Sequence, residues 1–176
     1  AGTGAGAADM NLYVVVDGPG TTQVATGEFD IDVGTTSGWV PDVATGARLD
    51  ATFTEPIAGV FDMTGDGTVA WSGTVTAAAP VDLAFEPGEW ETTVGRWNST
   101  AIETITNTGH LPITSSTTVG DGFTNTGVVE VGEGRSVSIG QGGSIANAGT
   151  WRMLTNSTVR GNGSLPDERF VNTGTI

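Results

Sequence analysis

The stretch Phe123-Thr124-Asn125-Thr126-Gly127 decides the fold, because its pattern returns four times in the second half of the chain. The pattern is an apolar residue, a small residue, asparagine, a small residue and glycine, and successive copies begin 18, 22 and 25 residues apart. A recurrence at about 20 to 25 residues is typical of a solenoid, in which each repeat forms one turn and stacks on its neighbours. The other three copies are 105–109, 145–149 and 170–174.

The repeated phrase predicts a column of asparagines. In a parallel stack, equivalent positions lie about 4.8 Å above one another. The apolar residue is therefore expected to point into the turn, and the amide two positions later can bond to its copies along the stack. We expect the glycine to supply a positive φ at the corner. The predicted column consists of Asn107, Asn125, Asn147 and Asn172.

Composition favours an all-β chain and excludes several function classes. The 176 residues include 28 glycines and no cysteine, so the chain has no disulfide and no thiolate metal site. We find no long segment with helical periodicity. All six basic residues are arginine, and with 20 acidic residues the net charge is −14. This charge disfavours nucleic acid and anionic lipid as partners.

The ends of the chain and its hydropathy predict an extracellular protein without a membrane-inserted segment. No stretch approaches the roughly 20 apolar residues of a membrane span, and the start has no signal-peptide pattern. Residues 1–8 are expected to form a flexible arm. The chain stops in mid-repeat at Ile176, so we expect either a fragment of a longer protein or an open-ended subunit.

The first half of the chain carries short strands that predict an immunoglobulin-like β-sandwich over residues 9–98. Glu28–Val33 alternates polar and apolar residues, which is the period of a half-buried strand. About seven such strands, separated by turns, follow one another with the rhythm of that fold. The expected strands are 11–16, 28–33, 48–53, 59–61, 68–71, 74–76 and 81–85.

Two resemblances extend this prediction. The phrases Val16-Asp17-Gly18-Pro19 and Trp71-Ser72-Gly73-Thr74, with the strands around them, resemble the Ig-like repeat of large bacterial surface proteins. The second half resembles the β-helical passenger regions of bacterial adhesins, which carry similar phrases. The resemblances imply an adhesive stalk or spacer without catalytic residues. They divide the chain into an arm (1–8), an Ig-like sandwich (9–98) and parallel β-helix coils (99–176), with a β-helix throughout as the alternative.

One turn has the composition of a weak calcium site. Asp62, Thr64 and Asp66 place oxygen ligands at alternate positions beside a glycine, although the downstream glutamate of a helix-loop-helix calcium site is missing. The same residues are ordinary turn formers and need no metal. Calcium is thus the one cofactor that the sequence suggests, and we otherwise expect none.

Two tryptophans are candidates for a glycan contact. Trp90 and Trp97 lie near the expected domain junction with Arg96, where aromatic rings can stack on sugars. The alternative is a hydrophobic plug between the domains, because tryptophan buries a large apolar area. His110 is the only histidine and has no nucleophile motif with it, and the acidic residues form no obvious catalytic pair. We therefore do not expect an enzyme.

These observations together predict an extracellular or cell-surface structural and adhesive module, a rigid stalk or display segment of a larger exoprotein. One alternative is a self-assembling filament or matrix subunit, joined by donation of the N-terminal strand or by coil stacking. Another is a carbohydrate-binding module. The expected partners are a second copy of the chain or surface glycans and proteins.

Overall fold

The computed structural model describes residues 11–14, 22–33, 37–86, 88, 90–99, 105–140, 142–162 and 168–176. These residues form β-strands, turns and connections, and they include no helix long and apolar enough to cross a membrane. In chain order the strands are β1 (Asn11–Val14), β2 (Gln23–Val24), β3 (Glu28–Val33), β4 (Asp42–Val43), β5 (Arg48–Phe53), β6 (Ile57–Phe61), β7 (Thr68–Leu83), β8 (Trp90–Thr92), β9 (Arg96–Ser99), β10 (Ile105–Asn107), β11 (His110–Ile113), β12 (Thr117–Val119), β13 (Gly122–Asn125), β14 (Val128–Val131), β15 (Ser136–Ile139), β16 (Ser144–Asn147), β17 (Thr150–Met153), β18 (Thr158–Gly161) and β19 (Arg169–Asn172).

The strands wind into a parallel β-helix. One sheet stacks β1, β3, β5, the first part of β7, β8, β11, β14 and β17, in that order. A second sheet contains β6, the rest of β7, β9, β10, β12, β13, β15, β16, β18 and β19. The short strands β2 and β4 pair with each other. Every pairing between these strands is parallel, so each turn rests on the turn before it.

Alternation along each strand builds the core. In β5 the side chains of Leu49, Ala51 and Phe53 are buried, while the residues between them are partly exposed. The sixteen-residue strand β7 continues from the first sheet into the second, and Gly73 at the crossing has a φ of +84°. Glycine adopts this angle without strain, so the chain turns the corner while both parts of the strand stay paired.

A single hydrophobic core runs through the described turns, from Val24 to Trp151. Its widest part is an aromatic cluster around Trp71, which is fully buried. Ring centroids lie 4.4 to 5.6 Å from that of Trp71, a range typical of favourable aromatic pairs. The neighbouring rings are those of Phe53, Phe61, Phe85 and Trp90.

The Ig-like sandwich predicted over 9–98 does not agree with the described strands of that region. An Ig sandwich is built from antiparallel sheets, whereas β3, β5, β7 and β8 pair in parallel. The sheets also continue past residue 99, because β7, β8 and β9 pair with β10, β11 and β12. The alternative of a β-helix throughout fits these strands. The expected arm at 1–8 and turn at 17–20 lie outside the described residues.

Candidate functional site

The structure brings the four predicted asparagines into one column. Asn107, Asn125, Asn147 and Asn172 are register partners on successive turns, and the first three are at most 1% exposed. Each amide nitrogen Nδ2 donates to the Oδ1 of the next asparagine, at 2.7, 2.6 and 2.5 Å along the column. All the amides thus point in one direction, from the N-terminal turns toward the C-terminal turns.

Each buried amide also binds the main chain of two turns. Nδ2 of Asn125 lies 3.3 Å from the carbonyl oxygen of Gly127 and 3.0 Å from that of Thr150 on the next turn. Asn107 and Asn147 make the equivalent pairs of contacts. A slip of one residue would leave these buried amides and carbonyls unpaired, which is costly in a dry interior. The column therefore holds the register of the turns.

The two ends of the column differ from its middle. The register partner of Asn107 on the preceding turn is Leu83, and Oδ1 of Asn107 is buried without a partner among the described residues. At the other end, Asn172 is exposed, and its Nδ2 donates to the carbonyl oxygen of Gly174 at 3.1 Å. The column thus begins where an apolar stack ends, and its last amide faces solvent.

The glycines of the repeated phrase have a different role from the one predicted. None of Gly109, Gly127, Gly149 and Gly174 has a positive φ, so backbone freedom is not the reason for glycine here. A Cβ atom on Gly127 would collide with the main-chain carbonyl oxygens of Thr108 and Gly109 on the turn below. The other three meet main-chain atoms in the same way. Close approach of successive corners therefore excludes any side chain.

An acidic cluster with one arginine lies on the outer face of the first sheet. Carboxylate oxygens of Glu28, Asp30 and Asp50 lie within 4.8 Å of one another, close enough in principle to share a cation. The guanidinium of Arg48 donates to Asp50 at 2.9 Å and reaches Glu91 at 3.1 Å. The structure thus already supplies one positive charge to this group.

A small cavity forms under the Arg48–Glu91 ion pair. Its volume is about 70 Å³, and its lining includes Arg48, Asp50, Ala70, Ser72 and Glu91. It exists because Ala70 stands between Asp50 and Glu91 in the same outer row and leaves space between the two carboxylates. The cavity has the size of a few water molecules rather than of a substrate.

Charge crowding in the cluster alters two pKa values. A side-chain hydrogen bond with Asp50, followed by the negative charge of Asp50, raises the pKa of Glu28 above 4.5. The pKa of Arg48 is also raised, chiefly by its hydrogen bond to Asp50. Arg48 therefore stays charged, whereas Glu28 resists ionisation because its neighbour is already negative.

Trp90 and Trp97 do not form a glycan platform, because both are only 2% exposed. Trp90 stacks on Phe85 with ring centroids 4.3 Å apart and planes inclined by 13°, inside the β-helix. Trp97 packs edge-on against Phe123, also in the interior. The sequence placed both rings at a predicted domain junction, where a surface contact was expected. The described strands pair continuously across this region, so the junction is absent there.

The proposed calcium turn folds as a turn held by its own side chains. Oδ1 of Asp62 accepts from the backbone N–H of Met63 at 2.9 Å, and Oδ2 of Asp66 accepts from the hydroxyl of Thr45 at 3.4 Å. Thr64 forms a parallel bridge with Asp42. Neither aspartate belongs to the acidic cluster described above. Calcium binding by Asp62, Thr64 and Asp66 remains a prediction.

His110 begins β11 and is partly buried. Its carbonyl oxygen accepts a hydrogen bond from the indole nitrogen of Trp90, and its Nδ1 is buried without a partner among the described residues.

A third group of residues, which the sequence did not indicate, lies on the outer face of the second sheet. Five strands there carry one row of outward side chains, and we call this row the arginine row. None of the five strand segments contains a carboxylate. The sequence of any single strand does not reveal this row, because the residues of the row are about 20 positions apart and differ in type. The row is Thr74, Arg96, Thr118, Ser138 and Arg160.

These features define the class of the protein as a parallel β-helix with an internal asparagine column. No protein-family model, curated protein or solved structure matches the chain. Its function is therefore inferred from the geometry of the molecule itself.

Proposed function

We propose that this protein is an extracellular or cell-surface structural and adhesive module, a rigid stalk or display segment of a larger exoprotein. The observation that supports the proposal is the continuous stack: parallel sheets, one core and a directed asparagine column link each turn to the next. The cavity beside Arg48 and Glu91, about 70 Å³, has room for a few water molecules rather than for a substrate. The stacked turns suit holding shape rather than chemistry.

The stack has the dimensions of a short rod. The eight strands of the first sheet, from β1 to β17, span roughly 34 Å at about 4.8 Å per strand. Every step along this axis is reinforced by main-chain ladders, and three of the steps also by amide bonds. Bending the rod would open several bonds at once, so surface loops are held at fixed positions. The net charge of −14 keeps such a strand-rich surface soluble.

Small-angle scattering and single-molecule pulling test the stalk function. We expect a scattering curve that the stacked turns reproduce and a high-force rupture when the chain is pulled along the stack axis. A curve that the stack does not reproduce, or gradual yielding at low force, would contradict it. Localisation needs a separate measurement: protease added to intact source cells should cleave the protein, and full protection would argue against a surface role.

A second candidate function is a self-assembling subunit that joins by coil stacking. The observation in its favour is the one-directional asparagine column, because a turn of a second copy is able to accept the same amide contacts that each turn accepts from the one before it. Sedimentation velocity over a concentration series tests it: filaments or a growing mass are expected, and a monomer throughout would exclude it.

A further inference from the structure

The arginine row carries two cations on five strand segments that contain no carboxylate. Arg96 and Arg160 occupy equivalent positions on β9 and β18, and β12 and β15 lie between them. Three strand spacings separate their Cα atoms by about 14 Å. The residues between them, Thr118 and Ser138, add one hydroxyl at each step.

These two arginines differ from the arginines of the first sheet in their partners. Arg48 and Arg152 form ion pairs with Asp50, Glu91 and Glu130. Nε of Arg96 instead donates to Oδ1 of Asn98 at 2.7 Å. Nε of Arg160 donates to the hydroxyl of Ser138 at 3.3 Å. Among the described residues, neither contacts a carboxylate.

Neutral partners position a guanidinium without cancelling its charge. In a chain with 20 acidic residues and six arginines, two cations without an acid partner among the described residues concentrate positive potential on one face. A guanidinium held at Nε keeps its terminal nitrogens for a bidentate contact with an external carboxylate. Because the side chains are already positioned, less conformational entropy is lost on binding.

We propose that the arginine row binds a linear polysaccharide whose carboxylate groups are separated by neutral sugar residues. The guanidinium groups of Arg96 and Arg160 contact two carboxylates. The hydroxyls of Thr118 and Ser138 contact the sugars between them, because the strand spacing is close to the length of one sugar residue in an extended chain.

The charge pattern distinguishes this ligand from nucleic acid. A nucleic-acid strand carries one negative charge about every 3.4 Å, and the net charge of −14 repels so dense a polyanion. Two cations about 14 Å apart match a sparse series of carboxylates, with hydroxyl-rich segments between them. The inference gives the proposed stalk a ligand class, and its test is independent of the rod's shape.

Titration with a linear tetrasaccharide that carries uronic acids at its two ends and two neutral sugars between them tests the proposal by calorimetry at low and physiological salt. We expect saturable binding that weakens as salt rises. Replacing both arginines, as Arg96→Gln with Arg160→Gln, should weaken binding about tenfold or more. Arg160→Gln alone is the safer variant for folding, because Arg160 is exposed, and it should give part of the loss.

The matched control is Arg152→Gln, which removes an exposed arginine from the other sheet. It should leave binding unchanged. The proposal is overturned if the tetrasaccharide does not bind, if Arg152→Gln weakens binding as much as the double variant, or if neutral dextran or oligo-dT binds equally well. A rigid protein that fails to bind the tetrasaccharide would overturn this inference and leave the stalk function standing.

Discussion

At the scale of the residue, Asn125 is a fully buried member of the asparagine column that is bonded to both of its neighbours in the column. It accepts from Asn107 and donates to Asn147, Gly127 and Thr150, and it is fully buried. Asn125→Ala removes these bonds and leaves buried groups on both neighbouring turns without partners. We expect the free energy of unfolding to fall by about 3 kcal/mol, measured by urea denaturation.

Asn172→Ala is the matched control for this prediction. It removes the last amide of the column, which is exposed, so water can replace the lost contacts. The cost should stay below about 1 kcal/mol. Equal losses for the two variants would show that burial in the column is not the source of its stability.

Individual residues were predictable where the sequence repeats them and not where it does not. The asparagine positions follow from the phrase alone, because identical residues at one period must occupy equivalent places. The role predicted for Gly127 was wrong, because the close approach of two corners involves a turn 18 residues away and leaves no local signal in the sequence. The glycan contact considered for Trp90 and Trp97 does not fit their burial, and burial was hard to predict because it depends on which turns surround a ring.

At the scale of the strand, carboxylates on the outer face of β3 and β5 repel one another at neutral pH. The pKa of Glu28 is raised by Asp50, so the folded protein holds this proton more tightly than the unfolded chain does. Stability is therefore lost as the pH rises from 4.5 through the raised value. We expect Glu28→Gln to raise the melting temperature at pH 7, and the gain to vanish below pH 4.5, where the wild-type carboxyl is neutral as well.

Glu133→Gln serves as the control. Glu133 is an exposed acid in a turn, and its substitution removes the same formal charge. Its effect on the melting temperature at pH 7 should be smaller. If the two variants gave the same pH profile, the effect would come from net charge rather than from the contact between Glu28 and Asp50.

Strand positions were predicted better than strand partners. The segments Glu28–Val33 and Arg48–Phe53 are strands with the expected bounds. Alternation with a period of two is the same in an antiparallel sandwich and in a parallel coil, so it cannot reveal the partner. The signal that was missed is the regular step of 20 to 21 residues between Phe29, Leu49, Val69 and Trp90, which are register partners with dissimilar side chains.

At the scale of the whole molecule, the shared core predicts one cooperative unfolding transition. Val69 and Ile145 lie on distant turns, and both are fully buried in the same core. We expect Val69→Ala and Ile145→Ala each to lower the free energy of unfolding by about 1–4 kcal/mol. Each variant should still unfold in a single transition, seen together by far-UV and near-UV circular dichroism.

Separate transitions would contradict this expectation. If Val69→Ala moved one melting step and Ile145→Ala another, the two halves of the chain would behave as independent domains, despite the strand pairings that join them. Stacked repeats interact mainly with their neighbours, so such a result would place a weak interface between the two positions.

The direction of the amide column also determines which duplications of the sequence would preserve its hydrogen bonds. Each asparagine has its hydrogens toward the following turn and its oxygen toward the preceding one, and Asn125 and Asn147 are 22 residues apart. A tandem duplication of residues 123–144 would place a new asparagine between these two with both neighbours correctly oriented. The protein can thus change length by whole units during evolution, or by design, without new residues being invented at the junctions.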